Sequence, residues 1–290
     1  MTAVCDWESL PQRHLHAMKS RGKLRSAKPQ MWRCQRCGKI IGSTAEQEPR
    51  WDHLPLCPNT MPFVAVVGLH SSGTSALAGV LHHLGVWMGG KLIGYYGNDP
   101  DTNCGFETRE LQTVVRSVIH WPLTSASLNH NGIGKRLKPY VAAVKYEAAQ
   151  NGSAIAGGKH PMLSMMGIGL EHACGDSLIV VDSHRPLEES IASFIRREGL
   201  RPADRRFSSA QLKFHQEWLW EKKQAFLARH PNHLRVAYGD LLNSTRDEVD
   251  RIAGHLKLQP TPEQIEKAIA WVDPSKQHVN LSGESESGVS

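Results

Sequence analysis

Phe63-Val64-Ala65-Val66-Val67-Gly68-Leu69-His70-Ser71-Ser72-Gly73-Thr74-Ser75 is the stretch that decides the architecture. Its first five residues are apolar without alternation, which predicts a short strand buried on both faces, as in a parallel sheet. A glycine loop follows, and Ala76 to Leu81 then reads as an amphipathic helix. Strand, glycine loop and helix N-terminus together make an anion site. Glycines let backbone N–H groups face a phosphate, and hydroxyls add donors at the positive end of the helix dipole. The spacing is Gly-x4-Gly-Thr-Ser, so Thr74 stands where the phosphate loop of nucleotide triphosphatases carries lysine. Without that lysine a triphosphatase loses its β/γ-phosphate contact.

A second apolar strand, Leu178 to Val181, ends in Asp182-Ser183-His184-Arg185-Pro186. Pro186 suits the first turn of a helix, whose apolar face runs through Leu187, Ile191, Phe194 and Ile195. Ser193 lies eight residues after Arg185. An arginine at a strand's carboxyl end grips a phosphate with two donors, and a serine two helical turns on reaches the same anion.

These two segments together resemble the sulfotransferases that use 3′-phosphoadenylyl sulfate (PAPS), especially their bacterial-type members, over residues 63 to 278. Further blocks are similar in order: Gly105-Phe106-Glu107, Lys159-His160-Pro161, the helix Leu187 to Gly199, Tyr238-Gly239-Asp240-Leu241-Leu242 and Val272-Asp273-Pro274-Ser275. The resemblance implies that His70, Ser71, Ser72, Gly73, Thr74 and Ser75 cradle the 5′-phosphosulfate. It implies that Arg185 and Ser193 hold the 3′-phosphate, with 3′,5′-adenosine bisphosphate (PAP) as product. The family carries Lys or Arg where this chain has Ser71, so His70 and Lys159 are the candidates to supply that charge. Two further departures are His160, where an acidic residue usually follows the lysine, and Gly239, in place of a glutamate.

Sulfonate transfer of this kind places an acceptor oxygen in line with the sulfur and stabilises charge on the leaving phosphate, with no metal required. Lys159 and the Ser71–Ser75 loop are assigned to that stabilisation. The acceptor hydroxyl needs a general base within hydrogen-bond reach, and Glu107 and His160 are the candidates. Glu107 follows a Gly-rich loop (89–105) and opens a helix through Leu111, Val114, Val115 and Val118; a first-turn carboxylate favoured by the helix dipole is the competing reading. His160 reads equally as a strand-end histidine bonded to backbone. Lys276 and His278 belong to a late segment that the resemblance brings back towards the nucleotide, with solvated surface as the plainer reading.

The N-terminus is a different material. The chain has 34 Lys and Arg against 28 Asp and Glu, a net +6, yet nine basic and no acidic residues fall between Ser9 and Ala45, leaving −3 for the rest. That basic arm suits nucleic acid or another polyanion, or is simply solvated. Cys34-x2-Cys37-x15-His53-x3-Cys57 has the spacing of a closed, structural zinc site, with Cys5 as an alternative ligand. The remaining cysteines are scattered, which speaks against a secreted disulfide framework.

Of the 290 residues, 40% are hydrophobic and 21% charged, which excludes a disordered or collagen-like chain. No apolar run reaches the roughly 18 to 20 residues of a membrane span, and no signal-peptide core is apparent, so a soluble cytoplasmic protein is expected. The remaining pattern reads as scaffold. A helical stripe Leu212, Phe214, His215, Trp218, Leu219, Lys222 and Phe226 is expected in the core, with a strand at 233–237 and helices at 246–258 and 263–272.

The expected fold is α/β, a P-loop-like three-layer domain with a central, mainly parallel sheet over 61–281. A basic arm (1–30), a zinc-ribbon-like module (31–60) and a loose tail (282–290) flank it. The expected activity is sulfonate transfer from PAPS to a hydroxyl or amine on a carbohydrate or small metabolite. Two alternatives stand beside it. One is a divergent nucleotide kinase, in which Asp182 serves as the acid after the second strand. The other is a catalytically weak nucleic-acid or polyanion adaptor that works through the ribbon and the arm.

Overall fold

The structure is a computed structural model that describes residues 57–90, 92, 105–119, 130–199 and 207–272, together with three N-terminal strands. Those strands, β1 (Trp7–Ser9), β2 (Gln30–Cys34) and β3 (Ile40–Ser43), form an antiparallel sheet in the order β1-β2-β3. Trp7 pairs with Cys34, and Arg33 with Ile40.

The main sheet has five strands, all parallel: β4 (Phe63–Gly68), β5 (Val86–Trp87), β6 (Ile155–Lys159), β7 (Leu178–His184) and β8 (Leu234–Ala237). Their order is β5-β6-β4-β7-β8, which puts β4 in the centre with β6 on one side and β7 on the other. The chain leaves β4 towards one edge and later crosses to the other, so the carboxyl ends of β4, β6 and β7 meet at the switch point where such sheets bind ligands.

The apolar run of β4 is explained by its two covered faces. Phe63, Ala65 and Val67 join one core with Leu137, Tyr140, Leu219 and Phe226, while Val64 and Val66 join a second with Leu77, Leu81, Ile252 and Ala268. The first core is roofed by α2 (Arg109–Val118), α3 (His130–Gln150), α4 (Gly167–Cys174) and α6 (Ser209–Leu227). The second is roofed by α1 (Thr74–His83), α8 (Thr245–His255) and α9 (Pro262–Trp271), the last two close to their expected bounds. Between them in sequence lie α5 (Leu187–Gly199) and the short α7 (Tyr238–Asn243).

Helix ends follow local rules. Capping boxes start α6 (Ser208 with Gln211) and α9 (Thr261 with Gln264), each satisfying two otherwise orphaned N–H groups. Glu188 and Glu189 open α5 and Arg196 and Arg197 close it, both in favour with the helix dipole.

Three expectations need correction. The second strand runs on through His184, because Asp182, Ser183 and His184 keep pairing with β8 while β4 still pairs through Ser183. Phe214 is 59% exposed and not in the core, because the buried face of α6 runs through Leu212, His215, Gln216, Leu219, Lys223 and Phe226. Lys222 lies on the surface with its ammonium 5.7 Å above the Trp218 ring, and it is Lys223 that is buried. Among the described residues no helix is long and apolar enough to cross a membrane.

Candidate active site

The loop after β4 is shaped by its own hydrogen bonds. Ser72 donates from both N–H (3.3 Å) and Oγ (2.9 Å) to the Leu69 carbonyl, and Ser183 Oγ donates to the Ser72 carbonyl at 2.8 Å. Ser71 takes a left-handed conformation (φ 59°), as does Gly73 (φ 88°). For serine this costs on the order of 1 kcal/mol, held in place by the surrounding bonds. Gly73 is required twice over, by its φ and because the Tyr238 ring lies where a Cβ would project. No side chain caps α1. Its first-turn N–H groups therefore face the mouth of the loop. Ser75 Oγ is turned to the Gly105 carbonyl at 3.3 Å, so Ser72 and Ser75 serve the loop and its neighbour through their hydroxyls.

His70 is placed differently from what the sequence invites. Its ring stacks on Phe194 of α5 (4.7 Å, 9° between planes) and lies 5.2 Å from the His215 ring. Burial first, then His215, Arg197, His160 and Lys159, hold its imidazole well below the usual range. A neutral ring packed into the domain does not replace the missing loop cation. Its backbone is held as well: His70 N–H donates to Gln216 Oε1 at 3.2 Å, and Gln216 Nε2 donates to the His70 carbonyl at 2.8 Å.

Lys159 is the last residue of β6, in register with Val66 of β4, and only 3% exposed. Its Nζ donates to Glu107 Oε1 at 2.9 Å. Glu107 follows Phe106, which is buried in a left-handed conformation (φ 51°) with its ring edge-on to Trp271 at 5.4 Å. That anchor and the Gly105–Ser75 bond aim Glu107 at the sheet. It precedes Thr108, the N-cap that accepts from Leu111 N–H, and so does not belong to the first turn of α2. The dipole reading of this carboxylate thereby falls. Burial opposes its charge, but Lys159 above all, with His160 and Arg197, outweighs it and keeps the carboxyl below its ordinary range.

His160 caps the 3-10 turn Pro161–Met166, its Nδ1 accepting from Met162 N–H at 3.1 Å. The proton of the neutral ring is therefore on Nε2, which faces Glu107 Oε2 at 3.9 Å. Burial, partly offset by Glu107, pulls this histidine down to about 4. In this state Glu107 has a free lone pair beside a cation, and His160 has none to offer. His160 is thus a strand-end histidine bonded to backbone.

Arg185 follows β7 directly. Its Nη1 donates to the Ser71 carbonyl at 3.1 Å, its Nε to Glu189 Oε2 at 3.2 Å, and its guanidinium lies 5.5 Å from the Tyr238 ring centre. Ser193 sits two turns along α5, 8% exposed. The carboxyl ends of β4, β6 and β7 thus gather a backbone donor loop, Arg185 and the Lys159–Glu107 pair. Gln216 and Tyr238 complete the support. Tyr238 heads a block already noted in the sequence, whereas nothing there marks Gln216, which acts on the loop from 146 residues away.

Asp182, the acid of the kinase alternative, is occupied. It is fully buried, bonded by Lys223 Nζ at 2.9 Å and paired with Arg235 at 3.4 Å. A carboxylate neutralised in this way is a poor ligand for a magnesium–nucleotide complex.

The predicted zinc ligands Cys37 and His53 lie outside the described residues, as does Cys5, and of Cys34 only its place in β2 is described. Cys57 is buried. The basic arm, Lys276, His278 and the tail also lie outside the described residues.

No protein-family model matches the chain, and no curated protein matches it in sequence. Among solved structures it is similar to sulfotransferase STF1 from Mycobacterium tuberculosis H37Rv (15% identity over 72% of this chain and 70% of that one, TM-score 0.46). It is similar also to sulfotransferase STF9 from Mycobacterium avium (12% identity, 74% and 68%, TM-score 0.46). A third similar structure is retinol dehydratase in complex with androsterone and the inactive cofactor PAP (15% identity, 94% and 81%, TM-score 0.36).

Proposed function

We propose that the chain is a sulfotransferase that moves a sulfonate from PAPS to a hydroxyl or amine acceptor, on a carbohydrate or small metabolite by analogy with the family it resembles. The observation that carries this reading is the meeting of three parts at one end of the sheet. These are an uncapped anion loop, an arginine bonded to that loop, and a buried Lys159–Glu107 pair. The loop takes the 5′-phosphosulfate on backbone N–H groups, and Arg185 with Ser193 takes the 3′-phosphate. Lys159 supplies the cation that Ser71 lacks. In the reaction an acceptor oxygen bonds to sulfur while the bond from sulfur to the bridging phosphate oxygen breaks. Lys159 stabilises the charge that develops on the departing PAP, and Glu107 takes the acceptor proton.

The test is calorimetric binding of PAP to the wild type and to Arg185→Ala, with magnesium-ATP as comparison. Micromolar PAP binding is expected, weakened about 30- to 100-fold in the variant, the size of charge-assisted hydrogen bonds lost from one phosphate. A wild type that ignores PAP would sink the reading, and a preference for magnesium-ATP would restore the kinase alternative despite the engaged Asp182.

The N-terminal module is proposed to hold one structural zinc on Cys34, Cys37, His53 and Cys57. In support, Cys34 ends β2, β2 pairs antiparallel with β3, and in sequence Cys37 falls between the two strands with the Cys-x2-Cys spacing of a zinc knuckle. Four such donors would fold the segment and leave no position open for chemistry. Metal analysis is expected to find one zinc per chain, lost in Cys37→Ser; a metal-free wild type would refute the site. A nucleic-acid or polyanion partner for the basic arm rests on its charge alone.

A further inference from the structure

We infer that Gln216 is the positioning residue of the anion loop, acting on the 5′-phosphate half of the nucleotide site and not on the 3′-phosphate half. This rests on the nucleotide reading above.

Gln216 lies on α6, fully buried, and is not itself placed to meet solvent or ligand. Its side-chain amide makes a two-way clamp on one loop residue, accepting from His70 N–H and donating to the His70 carbonyl. The same Nε2 lies 3.4 Å from the Ser190 carbonyl of α5. Among the described residues, Gln216 is the polar group that touches the peptide linking His70 to the left-handed Ser71.

That peptide is the crux. A trans peptide is planar, with its C=O and N–H pointing in opposite directions. Because Gln216 draws the His70 carbonyl towards α6, the Ser71 N–H is aimed the other way, to the open side of the loop. The next peptide is oriented in the same manner from the opposite flank: Arg185 holds the Ser71 carbonyl, and Ser72 N–H turns back to Leu69. Ser71 is left-handed because both of its flanking peptides are pinned. The stacking of His70 on Phe194 fixes the side chain but leaves the peptide free to rotate. Among the described residues it is the amide of Gln216 that sets that rotation. Without it, Ser71 is expected to relax to an ordinary conformation and turn its N–H away from the anion.

A purely structural glutamine would, on removal, weaken every ligand alike or none. A positioning glutamine predicts an asymmetry. Gln216→Met keeps the length of the side chain and removes its hydrogen bonds. PAP carries phosphates at both the 3′ and 5′ positions, whereas adenosine 3′-monophosphate lacks the one the loop holds. The expected result is PAP affinity lowered about tenfold or more in Gln216→Met, with the affinity for adenosine 3′-monophosphate, measured by competition, unchanged within twofold. Arg185→Ala should weaken both. Equal weakening of the two ligands by Gln216→Met, or no weakening of either, would overturn the inference. If Gln216→Met does not fold, Gln216→Asn carries the same test, because its amide falls one methylene short of the His70 backbone. A wild type that binds neither nucleotide would instead overturn the nucleotide reading, and Gln216 would have no anion to position.

Discussion

Lys159→Met is expected to lower kcat by about two to three orders of magnitude and, at the same time, to move the acid limb of the pH–rate profile upward. The first effect is the usual cost of removing a preorganised donor from a developing oxyanion. The second follows from Glu107. In the wild type its carboxyl is held below the ordinary carboxylate range, so it is ionised throughout the neutral region, and activity that depends on it as a base falls only as the pH drops through that depressed value. Lys159 is the chief cation opposing the burial that would otherwise raise this carboxyl. Without it burial prevails, Glu107 protonates at higher pH, and the base is lost sooner on acidification. The measurement is kcat against pH for both proteins with saturating PAPS. A large fall in kcat with an unmoved acid limb would show that Lys159 acts on the leaving group alone and that Glu107 is not the base. Glu107→Gln should then retain most of its activity.

Lys223→Met is expected to destabilise the fold by about 3 to 5 kcal/mol, read as a lowered urea midpoint. Lys223 and Asp182 are 1% and 0% exposed and bonded at 2.9 Å, Asp182 lying in β7, the strand that Arg185 directly follows. Removing the lysine strands a carboxylate in the core, with the half-exposed Arg235 as its remaining ion-pair partner among the described residues. Breaking one side of a buried pair costs far more than replacing both. The double variant Lys223→Met, Asp182→Asn should therefore regain much of the loss, because the amide no longer carries charge. If the double variant is no more stable than the single one, then packing around Lys223 sets the cost and the ion pair does not. The same experiment bears on function, since an Asp182 needed for magnesium chemistry would leave the restored fold inactive.

How far the sequence reached differs from element to element. The run Phe63–Val67 announced a doubly buried strand because no polar residue interrupts it, and both faces are covered. The helix after it was legible from its periodicity. By contrast, no local pattern marks residues 130–150 as a helix. Gly132, Gly134 and Pro139 are breakers in isolation, yet α3 forms around them because Ile133, Leu137, Tyr140, Val141 and Val144 all bury on one side. Glycines and proline cost less than that burial returns. On α6, periodicity located the helix and the buried Leu212, His215, Leu219 and Phe226 but misplaced Phe214 and Lys222, since an aromatic such as Phe214 attracts the eye while the polar Gln216 and Lys223 occupy the interior with partners of their own.

For the candidate site the division is sharper. Sequence by itself determined the architecture, the position of the anion loop and the identity of Arg185, Lys159 and Glu107 as the groups worth watching. The architecture, the glycine loop and Arg185 follow from local pattern, namely apolar strand runs, a glycine spacing and a strand end, whereas Lys159 and Glu107 stood out through blocks that resemble a known family. Only the tertiary structure decided what state those groups are in. It lowered the pKa of the His70 imidazole by burying it among basic neighbours, tied His160 to the Met162 N–H, paired Glu107 with Lys159, and took Asp182 out of contention through Lys223. It also recruited Gln216 to the loop from 146 residues away. The physical reason is range. Backbone preferences act over a few neighbouring residues, whereas burial and charge depend on whatever the fold brings within a few ångströms, and no spacing along the chain records that.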